Sequence, residues 1–411
     1  MVTRRGFLTG AGVIAGGSAL AACAPAAQTT GAADGTSTSI DQVNLAVQTV
    51  PFDGRHQAGI ATPHQAGLNL VAFTIRPGVD RDGITRLMRL WTEDARRLCA
   101  GQTPLGSLEP ELTVNPANLT ITCGFGSRLF DIAGIADQRP DWLHPIPAFQ
   151  RDQLDDKWGE ADLVLQVCSD DPVTLSHATR HMIRAGVDYV GTRWFQSGFL
   201  NANGVLDKKA TPRNLFGQKD GTVNPRTDEE IQQAAWIEEG PDWAIDGSVM
   251  VVRRIAMNLD TWEILDRTSR EVSVGRTLDT GAPLTGTDEF DDPDYTATDS
   301  YGLPVIDPVS HMARSKPAEG HPEQVILRRV YNYDLEPDPT SEELSNAGLV
   351  FICFQKNPDL QFTPIQQRLD EADRLNQWIT HIGSAVFFMP PGTDPDDPGK
   401  DEFWGAGLLQ A

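Results

Sequence analysis

Cysteine is scarce in this 411-residue chain: Cys23, Cys99, Cys123, Cys168 and Cys353 are its five, and none is spaced as CxxC or CxxH. That excludes a disulfide-stapled scaffold and gives no support to a zinc or iron–sulfur site. The last four lie in apolar, strand-like segments and read as buried thiols. Positive charge is also short, with 34 Lys and Arg against 57 Asp and Glu and a net charge of -23. Nucleic acid is thereby excluded as a partner, because phosphate binding depends on Lys and Arg displacing condensed counterions. Long hydrophobic runs are missing too. The most apolar segment, 10–22, is too short for a helix spanning a bilayer core of about 30 Å.

What is present is enough apolar residue, 40%, to bury a substantial core in one large domain or two smaller ones. The N-terminus reads as an export signal over 1–22, in which Thr3-Arg4-Arg5-Gly6-Phe7-Leu8 looks like a twin-arginine motif ahead of a Gly/Ala-rich apolar run. Leu20-Ala21-Ala22-Cys23 resembles a lipobox, which would make Cys23 an acylated N-terminus; the alternative is an ordinary secretory signal whose cleavage region contains a cysteine. Residues 23–50 begin rich in Ala, Thr, Gly and Ser, a composition that buries little surface, and are expected as a flexible stalk. These features place the body at a periplasmic or extracellular face, with membrane contact only through a lipid at Cys23.

Beyond the stalk, strand and helix signals alternate. Strands are expected from the apolar stretches at 67–75, 118–126, 161–171 and after Val187, and helices over 84–101 and 172–185. The second half repeats the order with strands at 247–259, 325–334, 348–355 and from Gly383. Its helix is signalled by Thr363-Pro364-Ile365-Gln366, read as N-cap, N1 proline and capping-box glutamine, with an apolar face running from Ile365 to Ile379. The pattern predicts an α+β protein of two duplicated halves, 51–235 and 236–411, each a sheet covered by helices on one face.

His177 and His181, four apart on a predicted helix, read as a core or surface pair, since no third metal ligand stands near them. The acidic loops 287–299 and 394–402 read as solvated faces. In the segment 212–226, Gly217 and Gly221 bracket Asp220, which on composition alone is a turn residue capping its own backbone.

Gly217-Gln218-Lys219-Asp220-Gly221 also resembles the GxxDG motif of the dye-decolourising (DyP-type) haem peroxidases, and the likeness extends over most of the chain, through TCGFG from Thr122, VVRRIAM from Val251, ILRRVYNYD from Ile326 and GSAVFFMPPG from Gly383. The similarity is to the exported branch, which includes the deferrochelatase/peroxidase of bacterial iron-uptake systems. It implies duplicated ferredoxin-like halves with antiparallel sheets in a barrel of the dimeric α/β type, one haem b per chain in the C-terminal half, and hydrogen peroxide with a small-molecule reductant or dye as substrates. It also admits an iron-uptake permease and a homo-oligomer as partners. Position by position, His311 corresponds to the proximal haem-iron ligand, Asp220 to the distal acid/base carboxylate, and Arg328 to the distal arginine, with Arg329 the alternative. Gly221, Thr222, Val223 and Pro317 would lie against the porphyrin. Ala313 and Lys316-Pro317-Ala318 depart from the family's Arg and Asn-Pro-Arg after the histidine, leaving Arg314 or Lys316 to meet the propionates. Trp262, Trp378 and Tyr331 would relay electrons to bulky dyes. The competing reading is a haem-binding lipoprotein, or a deferrochelatase releasing haem iron, which uses His311 but needs neither Asp220 nor Arg328.

Overall fold

A computed structural model describes residues 44–207, 209–397 and 400–410. The expected signal, Cys23 and the stalk as far as residue 43 lie outside the described residues. Residues 44–50 carry a short 3-10 turn, Leu45–Val47, and the Gln48 carbonyl accepts a hydrogen bond from Asn118 N at 2.9 Å.

Nine described strands form one antiparallel sheet: β1 (Gly67–Ile75), β2 (Thr120–Phe125), β3 (Leu163–Ser169), β4 (Val190–Phe199), β5 (Ser248–Met257), β6 (Leu327–Arg328), β7 (Tyr331–Leu335), β8 (Asn346–Gln355) and β9 (Ile379–Met389). Their order is β5-β9-β2-β3-β1-β4-β7-β8-β6, and β5 also pairs with β8, so the sheet closes into a barrel. Within it, β2-β3-β1-β4 and β7-β8-β5-β9 repeat one ferredoxin-like order, as the duplicated pattern predicts. The halves join where Phe125 pairs with Phe388 and Phe199 with Asn332.

Alternation along the strands sorts side chains to two faces. Met250, Val252, Val350 and Ile352 turn inward with Leu68, Leu70 and Tyr331, while Val249, Val251 and Cys353 face outward beneath the helices. Helix Arg81–Cys99 starts where Asp80 Oδ1 accepts from Gly83 N at 3.0 Å, and it buries Leu87, Met88, Trp91 and Leu98 against the sheet. Helix Pro172–Ala185 has the proline at its first position and Asp171 as cap. His177 and His181 are buried on it, the latter 2.8 Å from Asp94. Cys99, Cys123, Cys168 and Cys353 are buried free thiols, and burial pushes the Cys99 pKa up to about 12.

Two expected elements differ. The strand expected over 325–334 is split into β6 and β7, with Arg329 N still donating to Ile352 O at 2.8 Å across the break. The last long helix is Phe362–Ala372, shorter than its predicted apolar face. Thr363 is already inside it and its hydroxyl caps nothing, while Gln361 Oε1 accepts from Lys356 N and Asn357 N instead. After Ala372 the chain forms the 3-10 turn Arg374–Gln377, and Ile379 opens β9. Sheet pairing with β5 claims that residue, and a helical periodicity cannot anticipate a pairing made more than a hundred residues away.

Candidate active site

A cavity of about 320 Å³ lies between the outer face of the second half-sheet and helix Phe362–Ala372. Ile255, Leu349, Phe351, Ile365 and Leu369 make its wall apolar. Polar groups enter it from the loop 214–223, the short helix His311–Ser315 and β6, and also from Arg253, Asp373 and His381.

On one side His311 is the first residue of its helix, behind the N-cap Ser310. Its Nδ1 is 2.6 Å from Asp373 Oδ2, and Nε2 has no hydrogen-bond partner among the described residues. The tautomer follows, since Nδ1–H donates to a carboxylate that is itself almost fully buried. Burial opposes charge on the imidazole, but the Asp373 carboxylate outweighs it and holds the His311 pKa above its ordinary value. Asp373 is fixed in turn because its other oxygen accepts from Leu375 N at 2.9 Å, capping the 3-10 turn.

On the other side stands Asp220. Arg328 Nη1 donates to its Oδ1 at 2.8 Å, and Asn214 Nδ2 donates to its Oδ2 at 3.1 Å. Arg328 is held by its backbone as well: its N–H donates to Asn224 Oδ1 at 2.8 Å, and Asn224 Nδ2 donates to its carbonyl at 2.7 Å. The loop turns through left-handed backbone at Gly217 (φ 80°) and Gly221 (φ 133°). A Cβ on Gly221 would meet only Thr211 Cγ2 at 3.5 Å, so glycine is required there by the backbone angle rather than by crowding.

Asp220, Gly221, Thr222, Val223, His311, Pro317 and Arg328 therefore all line one cavity. Arg329, the alternative to Arg328, points away: it is 1% exposed and donates to Thr62 O and Gln65 Oε1. Of the two cations considered for propionates, Lys316 lines the cavity with its Nζ 3.9 Å over the Tyr295 ring, whereas Arg314 is turned to Arg368 O and Glu371. Trp262 and Trp378 meet edge to face at 5.2 Å, and Tyr331 is enclosed in the barrel.

Asp373 is a site residue that sequence reasoning did not name, and beside the site it also missed Glu289. It lies in the acidic loop read as solvated, yet it is 7% exposed and accepts from Thr211 Oγ1, Lys219 Nζ and Thr222 Oγ1. Burial alone would raise its pKa; the Lys219, Thr211 and Thr222 hydrogen bonds reverse that and lower it. It thus ties the loop bearing Asp220 to residues 287–299. No local spacing marks it, because its neighbours in sequence are ordinary loop acids.

The donor set fits a haem. An imidazole with one nitrogen anchored and the other free faces an apolar slot suited to a macrocycle, and a carboxylate with a guanidinium stands at the same cavity.

Comparison with known proteins bears on the same segments. The family profile described as "Dyp-type peroxidase, N-terminal" matches residues 57–200, and "Dyp-type peroxidase, C-terminal" matches residues 211–394. The chain is 34% identical to a "Dye-decolorizing peroxidase" of Thermobifida fusca, covering 97% of this chain and 96% of that one. It is 35% identical to a "Deferrochelatase" of Escherichia coli K12, over 88% of this chain and 87% of that one. Among solved structures, a DyP-type peroxidase from Cellulomonas bogoriensis superposes with a TM-score of 0.84 at 44% identity, covering 89% of this chain and 99% of that one. Ferric DtpA from Streptomyces lividans does so with a TM-score of 0.84 at 35% identity, covering 89% and 98%.

Proposed function

The chain belongs to the Dyp-type peroxidase family and is a haem-dependent peroxidase, and from that we propose that His311 binds the haem iron while Asp220 and Arg328 handle peroxide. The observation that carries this assignment is the Asp220–Arg328 pair at 2.8 Å, in the same cavity as an imidazole whose Nε2 is free. Haem b bound there supplies the redox chemistry, taking two oxidising equivalents from hydrogen peroxide and passing them singly to a reductant.

The protein's own groups do the rest. His311 Nε2 would hold the haem iron, and Asp373, accepting from Nδ1, sets the ring's orientation and strengthens it as a donor. Asp220 would take the proton from one oxygen of hydrogen peroxide and return it to the other, the proton shift that breaking the O–O bond requires. Arg328 supplies fixed positive charge where peroxide becomes anionic; its backbone is held by the two hydrogen bonds it exchanges with Asn224, and its guanidinium by Asp220. Lys316 offers a cation to a propionate.

The test is peroxide-dependent dye oxidation by the haem-loaded chain. Asp220→Asn and Arg328→Leu are each expected to lower kcat/KM by about 10²- to 10³-fold, while His311→Ala loses the normal haem spectrum. Wild-type turnover no faster than free haem would overturn the reading.

A carrier has no use for a preformed acid/base pair, so Asp220 and Arg328 favour peroxidase over haem storage. The relatives named Deferrochelatase support extending the reading to a link with haem iron. Arg4-Arg5 and Cys23 support twin-arginine export and a lipid anchor at a periplasmic or extracellular face. Fractionation of cells expressing the wild type and Cys23→Ser tests that: the anchor reading requires the variant to leave the membrane fraction.

A further inference from the structure

A second cavity, of about 390 Å³, adjoins the β7–β8 connection and shares no lining residue with the haem cavity. Arg254 stands in its wall, only 8% exposed. Its guanidinium lies between the rings of Trp158 and Tyr333, 4.5 and 4.3 Å from their centroids, and its Nε donates to Gln196 Oε1 at 2.7 Å. No other hydrogen bond or ion pair of this guanidinium occurs among the described residues. The field of Asp155 reaches it, but that carboxylate is bound to Lys157 Nζ at 2.8 Å.

A buried cation without a counter-ion is costly, and burial pushes the Arg254 pKa down. Its neighbour Arg253, on the opposite face of β5, shows the ordinary solution, since its guanidinium is paired with the buried Asp152. At Arg254 two rings and one amide fix the plane of the fork, and its terminal N–H groups are left without a partner.

We propose that this second cavity binds a small organic monocarboxylate, clasped by the terminal N–H groups of Arg254. A planar fork matches a carboxylate with two parallel hydrogen bonds. Trp158 and Leu335 give the ligand's body apolar surface; Asp338 and Glu343, with Lys157 held by Asp155, also line the cavity, so each negative charge beyond the one clasped by Arg254 meets repulsion that the fork does not offset. The site therefore prefers a monoanion to phosphate or a dicarboxylate. It does not depend on the peroxidase reading.

Calorimetric titration of the haem-loaded full chain with benzoate tests the site, with benzyl alcohol as the uncharged control and succinate as the dianion. The expected result is one saturable benzoate site, weakened at least tenfold in Arg254→Gln and in Arg254→Lys, unchanged in Arg328→Leu, and absent for benzyl alcohol. Should the Arg254 variants fail to fold, Leu335→Trp fills the cavity from a 44% exposed position and is expected to abolish the same heat. The proposal is overturned if the wild type gives no benzoate binding, if benzyl alcohol or succinate binds as well as benzoate, if Arg328→Leu removes the site, or if a folded Arg254→Gln or Leu335→Trp protein binds like wild type. Because the readout is heat of binding, the result stands whether or not the chain turns over peroxide.

Discussion

At His311 one hydrogen bond, from Nδ1 to Asp373, decides which nitrogen is free for a ligand. Removing the charge of that acceptor while keeping its shape isolates the effect. Asp373→Asn is expected to weaken haem binding about 10- to 100-fold, read by titrating the haem-free chain with hemin. Glu289 acts on the other side of the cavity. Its folded-state pKa lies below the ordinary carboxylate value, so it stabilises the fold above that ordinary value. The contribution fades as pH falls through the lowered folded value. Thermal unfolding followed from neutral to acid pH should show this loss in the wild type, and Glu289→Gln should flatten that part of the profile while lowering stability at pH 7 by about 1–3 kcal/mol.

At the scale of elements, β8 is the strand on which the cavity wall depends, since Leu349 and Phe351 project from it toward the haem position. It lies between β5 and β7. Gly348 lets those strands close, because a Cβ there would meet Ile255 O at 2.0 Å and Tyr333 Oη at 2.5 Å. The obstacle on one side is backbone, which cannot step aside. Gly348→Ala is expected to destabilise the chain by more than about 3 kcal/mol, seen as a large fall in Tm by circular dichroism.

Across the whole molecule, the two half-sheets are joined at both seams, and ion pairs cross between the sequence halves at the cavity, among them Asp220 with Arg328 and Asp152 with Arg253. Asp152, from the first half, pairs with Arg253 of β5, and both are buried. Breaking it from the carboxylate side leaves a buried cation beside the haem slot. Asp152→Ala is expected to cost about 3–5 kcal/mol in denaturant unfolding, with a loss of haem affinity alongside. Conservation of total core volume cannot rescue this, because the missing quantity is charge.

The sequence by itself determined the elements and their chemistry. Apolar stretches placed β1 and most of the second half-sheet, and a helical stretch opening at a proline placed the helix Pro172–Ala185, since such signals depend only on residues near one another in sequence. Gly217, Asp220 and Gly221 were legible as a turn, and His311 and Arg328 were legible through resemblance. Only the tertiary structure decided what depends on residues far apart in sequence. It chose Arg328 over Arg329, because successive residues beside β6 face opposite sides and only one reaches Asp220. It set Asp373 beside His311 and Glu289 beneath the Asp220 loop, and it left Arg254 without a counter-ion. Burial and pairing of charge are properties of the packed barrel, and an acid in an exposed loop and an acid in a buried one are written with the same letter.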